Sequence, residues 1–120
     1  MNRLAAFASL TGFCGVALGA FGAHALEGQL TAEGTEWWHT ATLYILPHAA
    51  AVLAIALSGR GGLVRTAGWF MIAGAVIFAS TLYAMALGAP RWFGAITPIG
   101  GVFLLAGWAM AAIGSFRQPN

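Results

Sequence analysis

Charge is scarce in this chain, and two of the four common charged residue types are missing from it. Its 120 residues include five Arg and three Glu but no Lys or Asp, so charged residues make up 7% of the total. Soluble domains carry about 25% charged residues, whereas this chain is 60% apolar. A soluble protein of this size could not bury so much apolar surface. Composition therefore predicts a single integral membrane domain, and it excludes the basic patch of a nucleic-acid-binding protein.

Cysteine and recognisable catalytic motifs are equally scarce. Cys14 is the only cysteine, so no disulfide can form within the chain, and we expect it to be a small packing residue. The sequence holds no nucleophile elbow, phosphate-binding loop or pair of catalytic carboxylates. The turn Gly59-Arg60-Gly61-Gly62 is no phosphate cradle, because no strand precedes it. We therefore expect that the protein is not an enzyme and has no cofactor.

Four apolar runs are long enough to cross a bilayer, which takes about 20 residues per helix. The predicted spans are Leu4–Leu26, Trp37–Leu57, Ala67–Leu87 and Thr97–Phe116. The connections between them are short and carry nearly all of the charge. We therefore predict an all-α fold, an integral membrane four-helix bundle in which residues 1–120 form one transmembrane domain.

The first run also has some features of a signal peptide. Arg3 precedes it, and Ala23-His24-Ala25 matches an A-x-A cleavage site. The run is longer than the 7–15 apolar residues of a usual signal peptide, and its glycines are arranged as a packing face. We therefore expect it to be retained as the first span.

Small residues in the first run recur at alternating steps of three and four, which places them on one helix face. They are Ala5, Ala8, Gly12, Gly15, Gly19 and Gly22. In a bilayer such a face becomes a groove that admits neighbouring backbones, so we expect the first helix at the centre of the bundle. A second stripe, Gly100, Gly107 and Gly114, recurs every seven residues and is suited to pack against the first helix.

The arginines predict the orientation. One side of the predicted bundle carries Arg3, Arg60, Arg65 and Arg117, and the other carries only Arg91. The positive-inside rule then places both termini in the cytoplasm (N-in/C-in). The tryptophans near span ends, Trp37 and Trp38 among them, are expected at the level of the lipid headgroups.

Most polar side chains fall near the outer ends of the spans. We call this set the outer cluster: His24, His39, Ser80, Tyr83 and Thr97. Glu36 and His39 have the Glu-x-x-His spacing that di-iron bundles use. The chain has one copy of it, so we expect no metal and interpret both side chains as solvated among the headgroups.

His48 lies near the middle of the second span. An ionisable residue at that depth is a candidate for a functional role, and Tyr44, one turn earlier, could share a hydrogen bond with it. The alternative is a hydrogen bond between helices that serves packing alone. Tyr44 and His48 are retained beside the outer cluster as candidates for ligand binding.

Five short motifs follow one another in a characteristic order along the chain. They are Gly19-Ala-Phe-Gly-Ala-His-Ala-Leu26, Thr40-Ala41 with Tyr44 and His48-Ala49, Phe78-Ala-Ser-Thr-Leu-Tyr83, Ile96-Thr-Pro-Ile-Gly-Gly101 and Gly107-Trp108. This order resembles the YgdD-like family of small inner-membrane proteins, a domain-of-unknown-function family. The resemblance implies four spanning helices in a bacterial inner membrane, and it implies no activity or active site. Phe78-Ala-Ser-Thr departs from the Phe-Ser-Gly-Ser that the family tends to have there.

Two functional hypotheses follow. The first is a non-catalytic accessory, scaffold or interaction protein of the membrane, acting as a homo-oligomer or in a larger complex within the lipid bilayer. Small-residue faces and the missing catalytic constellation favour it. The second is a binder or carrier of a small molecule or ion at the outer cluster, which the one-sided distribution of polar side chains favours.

Overall fold

A computed structural model describes residues 1–117. It contains α1 (Arg3–His24), α2 (Ala32–Leu57), α3 (Gly62–Ala86) and α4 (Thr97–Arg117), and a 3-10 helix (Arg91–Ala95) that leads into α4. Each of the four α-helices is long and apolar enough to cross a membrane. The all-α prediction is confirmed for this part of the chain, in which no strand occurs.

Two helices begin earlier than their apolar runs. α2 begins at Ala32, because the hydroxyl of Thr31 caps it by accepting from the Gly34 N–H at 2.9 Å. Glu33 in the first turn adds a carboxylate near the positive end of the helix dipole. α3 begins at Gly62, before the predicted start of its span.

The centre of the bundle is α3, so the prediction that the first helix occupies it is wrong. Half of the membrane-spanning stretch of α3 is buried, a larger share than in the other three helices. α3 packs along α2 and α4 and also touches α1, whereas α1 packs mainly against α2. Within residues 1–117, α1 and α4 lie on separate sides of the bundle without contact.

The small-residue face of α1 is nevertheless a packing face. Its glycines pack against α2 alone, and not against all three of the other helices. Each glycine has a side chain of α2 over it: Ala49 over Gly12, Ile45 and Leu46 over Gly15, Thr42 over Gly19 and Trp38 over Gly22. The face therefore admits side chains, and it does not bring two backbones together.

The glycine stripe of α4 packs on α3 and not on α1, which corrects the second packing prediction. A Cβ added at Gly100 would lie 2.5 Å from the Phe78 nitrogen and 2.7 Å from the Gly74 oxygen. Gly107 and Gly114 also pack on α3, where the side chains of Met71 and Val64 are nearest and backbone nitrogens of the same two residues lie 3.2 Å from the added Cβ. The reason is that α3 has its own small residues at the contact, so the two backbones meet.

The two ends of the bundle differ in charge. The Asn2 amide donates to the Ala56 carbonyl at 2.9 Å and Arg65 donates to the Asn2 side chain at 3.3 Å, which brings the start of α1 to the α2–α3 turn. We call this end the basic end; its arginines are Arg3, Arg60, Arg65 and Arg117. The opposite, acidic end carries Glu27, Glu33, Glu36 and Arg91.

Candidate functional site

A cluster of polar groups joins α1, α2 and α3 towards the acidic end. The Trp38 indole donates to the Leu18 carbonyl at 2.9 Å, and the Tyr83 and Thr42 hydroxyls are 2.6 Å apart. Thr42 donates to the Trp38 carbonyl at 3.1 Å, so the Tyr83 hydroxyl donates to Thr42. The Trp38 and Tyr83 rings meet edge to face at 4.5 Å. Every donor in this cluster is therefore occupied by a neighbouring group.

A second polar contact joins α3 to α4. The Thr81 and Thr97 hydroxyls are 2.7 Å apart and both are buried. Thr97 is the first residue of α4, and the 3-10 helix leads directly into it: the Ile99 N–H donates to the Ile96 carbonyl at 2.9 Å. The chain before α4 thus supplies an acceptor for the helix start. The Thr97 hydroxyl bonds both Thr81 of α3 and the Phe93 carbonyl, at 3.3 Å.

His48 makes the third contact, from α2 to α4. Its Nδ1 lies 2.7 Å from the Tyr44 carbonyl, and its Nε2 lies 2.9 Å from the Trp108 indole nitrogen. A carbonyl can only accept and an indole N–H can only donate. The neutral imidazole with its proton on Nδ1 satisfies both partners. This arrangement supports the packing alternative for His48, and the bond from Tyr44 comes from its backbone and not from its hydroxyl.

The buried polar side chains are all engaged in hydrogen bonds within the described part of the chain. Within residues 1–117, no buried side-chain nitrogen or oxygen lacks a hydrogen-bond partner. Tyr83, Thr97 and His48, predicted as ligand-binding candidates, each bond a side chain of a neighbouring helix. Their hydrogen bonds connect neighbouring helices, and each of the three side chains already has a protein partner.

The other candidates lie nearer the surface. His39 is exposed and lines two cavities at the α1–α2 interface: one of about 440 Å³ with Trp38 and Thr42, and one of about 250 Å³ with Glu27 and Thr35. The smaller cavity mixes charged, hydroxyl and aromatic groups at the acidic end.

Ser80 borders a different groove. Together with Tyr83 it lines a space of about 220 Å³ between α1 and α3, where the Ser80 hydroxyl donates to the Ile77 carbonyl at 3.3 Å. His24 is the exposed last residue of α1. The exposed Tyr44 ring lies 4.5 Å from that of Phe78.

Glu36 and His39 are both exposed. In the described part of the chain, no group of three or more His, Cys, Asp or Glu residues is placed to hold a metal ion.

Sequence reasoning missed Trp38 and Thr42 as members of the polar cluster. Trp38 was expected among the headgroups beside Trp37, yet it is 2% exposed. The reason is Gly22, whose missing side chain leaves room for the indole. Both residues were visible in the sequence, but the sequence alone does not specify which side chain packs over which glycine.

Comparisons with known proteins all point to the same protein family. A family described as "Protein of unknown function (DUF423)" matches residues 18–101. UPF0382 membrane protein SSP2132 of Staphylococcus saprophyticus is 43% identical over 111 residues, which cover 91% of this chain and 92% of that protein. UPF0382 membrane protein YwdK of Bacillus subtilis is 41% identical, covering 85% of this chain and 86% of its own length.

The third relative carries a location in its name. UPF0382 inner membrane protein YgdD of Escherichia coli is 39% identical over 114 residues, covering 92% of this chain and 87% of that protein. No solved structure matches the chain. The predicted resemblance and the predicted inner-membrane location are confirmed. With four helices able to span a membrane and relatives aligned over most of its length, this chain belongs to the DUF423 (UPF0382) family of multi-pass membrane proteins of unknown function.

Proposed function

We propose that the protein is a non-catalytic membrane subunit that binds other membrane-spanning helices through α1 and α4. The observation that carries this proposal is the use of its buried polar side chains. The buried Tyr83 and Thr97 and the partly buried His48 each bond a neighbouring helix, so these side chains hold the bundle together. An enzyme would instead need general acid–base groups aimed at a shared space.

The outer faces of α1 and α4 supply the surfaces for a partner. Phe13 on α1 is 74% exposed and Leu105 on α4 is 73% exposed. These two helices have the smallest buried shares of the four. They can therefore accept a second copy of this chain or another membrane protein without rearrangement of the bundle.

Extraction into polymer nanodiscs that retain native lipid tests this proposal. The expected particle contains a second polypeptide, either another copy or a different chain, in constant ratio. Leu105→Ser on α4 should lower that ratio, whereas Leu43→Ser on α2, at a side chain that is 68% exposed, should not. A single copy without a partner under every gentle condition would contradict the proposal.

The proposed orientation places both termini in the cytoplasm. The four arginines of the basic end support it, against Arg91 alone at the acidic end. In a Cys14→Ala background, a membrane-impermeant maleimide added to spheroplasts should label Gln29→Cys and should leave Gly61→Cys unlabelled until lysis. The opposite pattern would overturn the orientation.

The second candidate function is binding or transport of a small molecule or ion at the outer cluster, and one observation favours it. His39 is shared by the 440 and 250 Å³ cavities, and the smaller one also contains Glu27. In this form of the proposal the ligand contacts His39, Glu27 and Trp38. Uptake screening in proteoliposomes, comparing His39→Ala with His24→Ala, tests it. Flux that is lost only in His39→Ala supports it, and equal flux in both variants and the unaltered protein rejects it.

A further inference from the structure

A groove of about 450 Å³ runs between α2 and α4 on the surface of α3. It exists because α2 and α4 pack against α3 and, within residues 1–117, not closely against each other. Small side chains form its walls and Met71 lies on its floor. The small residues of the wall are Ala51, Ala54 and Ala111, and Ile55 and Val64 also line the groove.

The groove has one apolar end and one cationic end. Trp108 closes it towards the middle of the bundle, where its indole bonds His48. Ser58, Arg60 and Ser115 line its other end, which is the basic end of the bundle. From Trp108 to Ser115 along α4 the distance is about 10 Å at 1.5 Å per residue, which matches the length of roughly half an acyl chain.

The charge at the cationic end is not balanced by nearby acidic side chains. Arg60 donates to the Ser115 hydroxyl at 3.3 Å, a neutral partner. All three Glu belong to the acidic end, at the opposite side of the bundle. A phosphate would accept from the Arg60 guanidinium and from the Ser115 hydroxyl, whose proton is free when its oxygen accepts from Arg60.

We propose that this groove is a binding site for an anionic phospholipid, with one acyl chain between α2 and α4 and the phosphate at Arg60 and Ser115. The alanine walls provide the width for the chain, and the arginine selects a negative headgroup over a zwitterionic one. The inference does not rest on the proposed partner-binding role, because it is carried by the groove between α2 and α4 and by Arg60, and not by Phe13 or Leu105.

Native mass spectrometry of the purified full chain tests the proposal, with phosphatidylglycerol and phosphatidylcholine as probes. The unaltered protein should bind one phosphatidylglycerol in preference to phosphatidylcholine. Arg60→Gln should weaken binding of phosphatidylglycerol about fivefold and binding of phosphatidylcholine by less, because the choline cation offsets the charge of that phosphate. Arg3→Gln, which removes the same charge from the same end on α1, is the matched control and should bind like the unaltered protein.

The acyl-chain part of the site has its own test. Ala54→Leu narrows the groove and should weaken binding of both lipids, whereas Ala112→Leu, at an exposed position of α4 outside the groove, should not. Melting temperatures of all variants show whether each one folds. Glycerol phosphate at equal concentration should fail to compete, because it lacks the chain.

Several results would overturn the proposal. If Arg60→Gln and Arg3→Gln lost phosphatidylglycerol binding equally, the lipid would be attracted to the whole basic end and not to a specific site. Unchanged binding in a folded Ala54→Leu variant would show that the groove is not occupied by the chain. Effective competition by glycerol phosphate would show that the phosphate alone is recognised.

Discussion

The α3–α4 interface and the α1–α2 interface both contain three or more glycines, yet they are built differently. In the first, Gly100 lies against backbone atoms of Phe78 and Gly74, so two helix backbones meet. In the second, glycines lie under side chains of α2 such as Trp38 and Thr42. A glycine stripe therefore marks a place where two helices approach closely. The residues of the facing helix determine whether a backbone or a side chain occupies the space.

Gly100→Ala should cause the largest loss of stability. Its new Cβ would meet the Phe78 nitrogen at 2.5 Å, and this backbone atom can move only if α3 and α4 separate. We expect the free energy of unfolding in bicelles to fall by about 2–3 kcal/mol. Gly101→Ala is the matched control, because no atom lies within 4 Å of its added Cβ. Similar stabilities of the two variants would show that the backbones do not meet there.

Gly22→Ala should have a smaller effect at the other interface. The new methyl group would overlap the Trp38 indole, which can shift at the cost of its bond to the Leu18 carbonyl. We expect a loss of about 1–2 kcal/mol, with a change in tryptophan fluorescence. Gly12→Ala would place its Cβ 3.6 Å from that of Ala49, an ordinary contact, and should change stability by less than about 0.5 kcal/mol. A larger loss in Gly12→Ala than in Gly22→Ala would refute the side-chain packing described for α1.

Tyr83→Phe tests the polar contact between α2 and α3. It removes the hydroxyl that bonds Thr42, and Thr42 keeps its bond to the Trp38 carbonyl. A double-mutant cycle with Thr42→Val should give a coupling energy of about 0.6 kcal/mol, the average for such bonds in membranes. The measurement is unfolding of the two single variants and the double variant in the same bicelles. A coupling energy indistinguishable from zero would mean that the two hydroxyls do not bond.

Arg91→Gln should have the smallest effect of the series. Arg91 pairs with Glu33 at the acidic end and lies 5.7 Å from the centre of the Trp37 ring, but the side chains of the ion pair are 78% and 51% exposed. An exposed pair contributes about 0.2–1 kcal/mol, and we expect the lower part of that range. Unfolding at low and high salt measures it, and a loss comparable to that of Gly100→Ala would contradict the importance given to the helix interfaces.

The sequence was sufficient to predict the number of helices, because each must match the thickness of a bilayer. The Thr31 cap is a local feature of the same kind, since capping depends on residues within one turn. The central position of α3 was not predictable in the same way. Its small residues Gly68, Ala75 and Ala79 share one face with the large, fully buried Met71, so they form no unbroken small-residue stripe like that of α1.

The candidate site shows the same limit. His48 was identified from its position in a span, but whether it serves packing or function depends on Trp108, which lies on another helix. The outer cluster was inferred from one-sided polarity along the chain. In the fold, Thr97 bonds Thr81 across the α3–α4 interface, whereas His39 lines cavities at the α1–α2 interface. Side chains at the same depth in the membrane are separated in this way because they point in different directions around their helix axes.

Cysteine cross-linking in membranes can show whether the bundle is organised around α3. In a Cys14→Ala background, a short bifunctional methanethiosulfonate reagent should join Phe70→Cys to Phe103→Cys, because these rings of α3 and α4 lie 5.3 Å apart. The same reagent should not join Phe7→Cys of α1 to Phe103→Cys of α4. Phe7 is a demanding control because its ring contacts Trp69, the residue that precedes Phe70. Efficient cross-linking of α1 to α4 within one chain, with none between α3 and α4, would contradict the account.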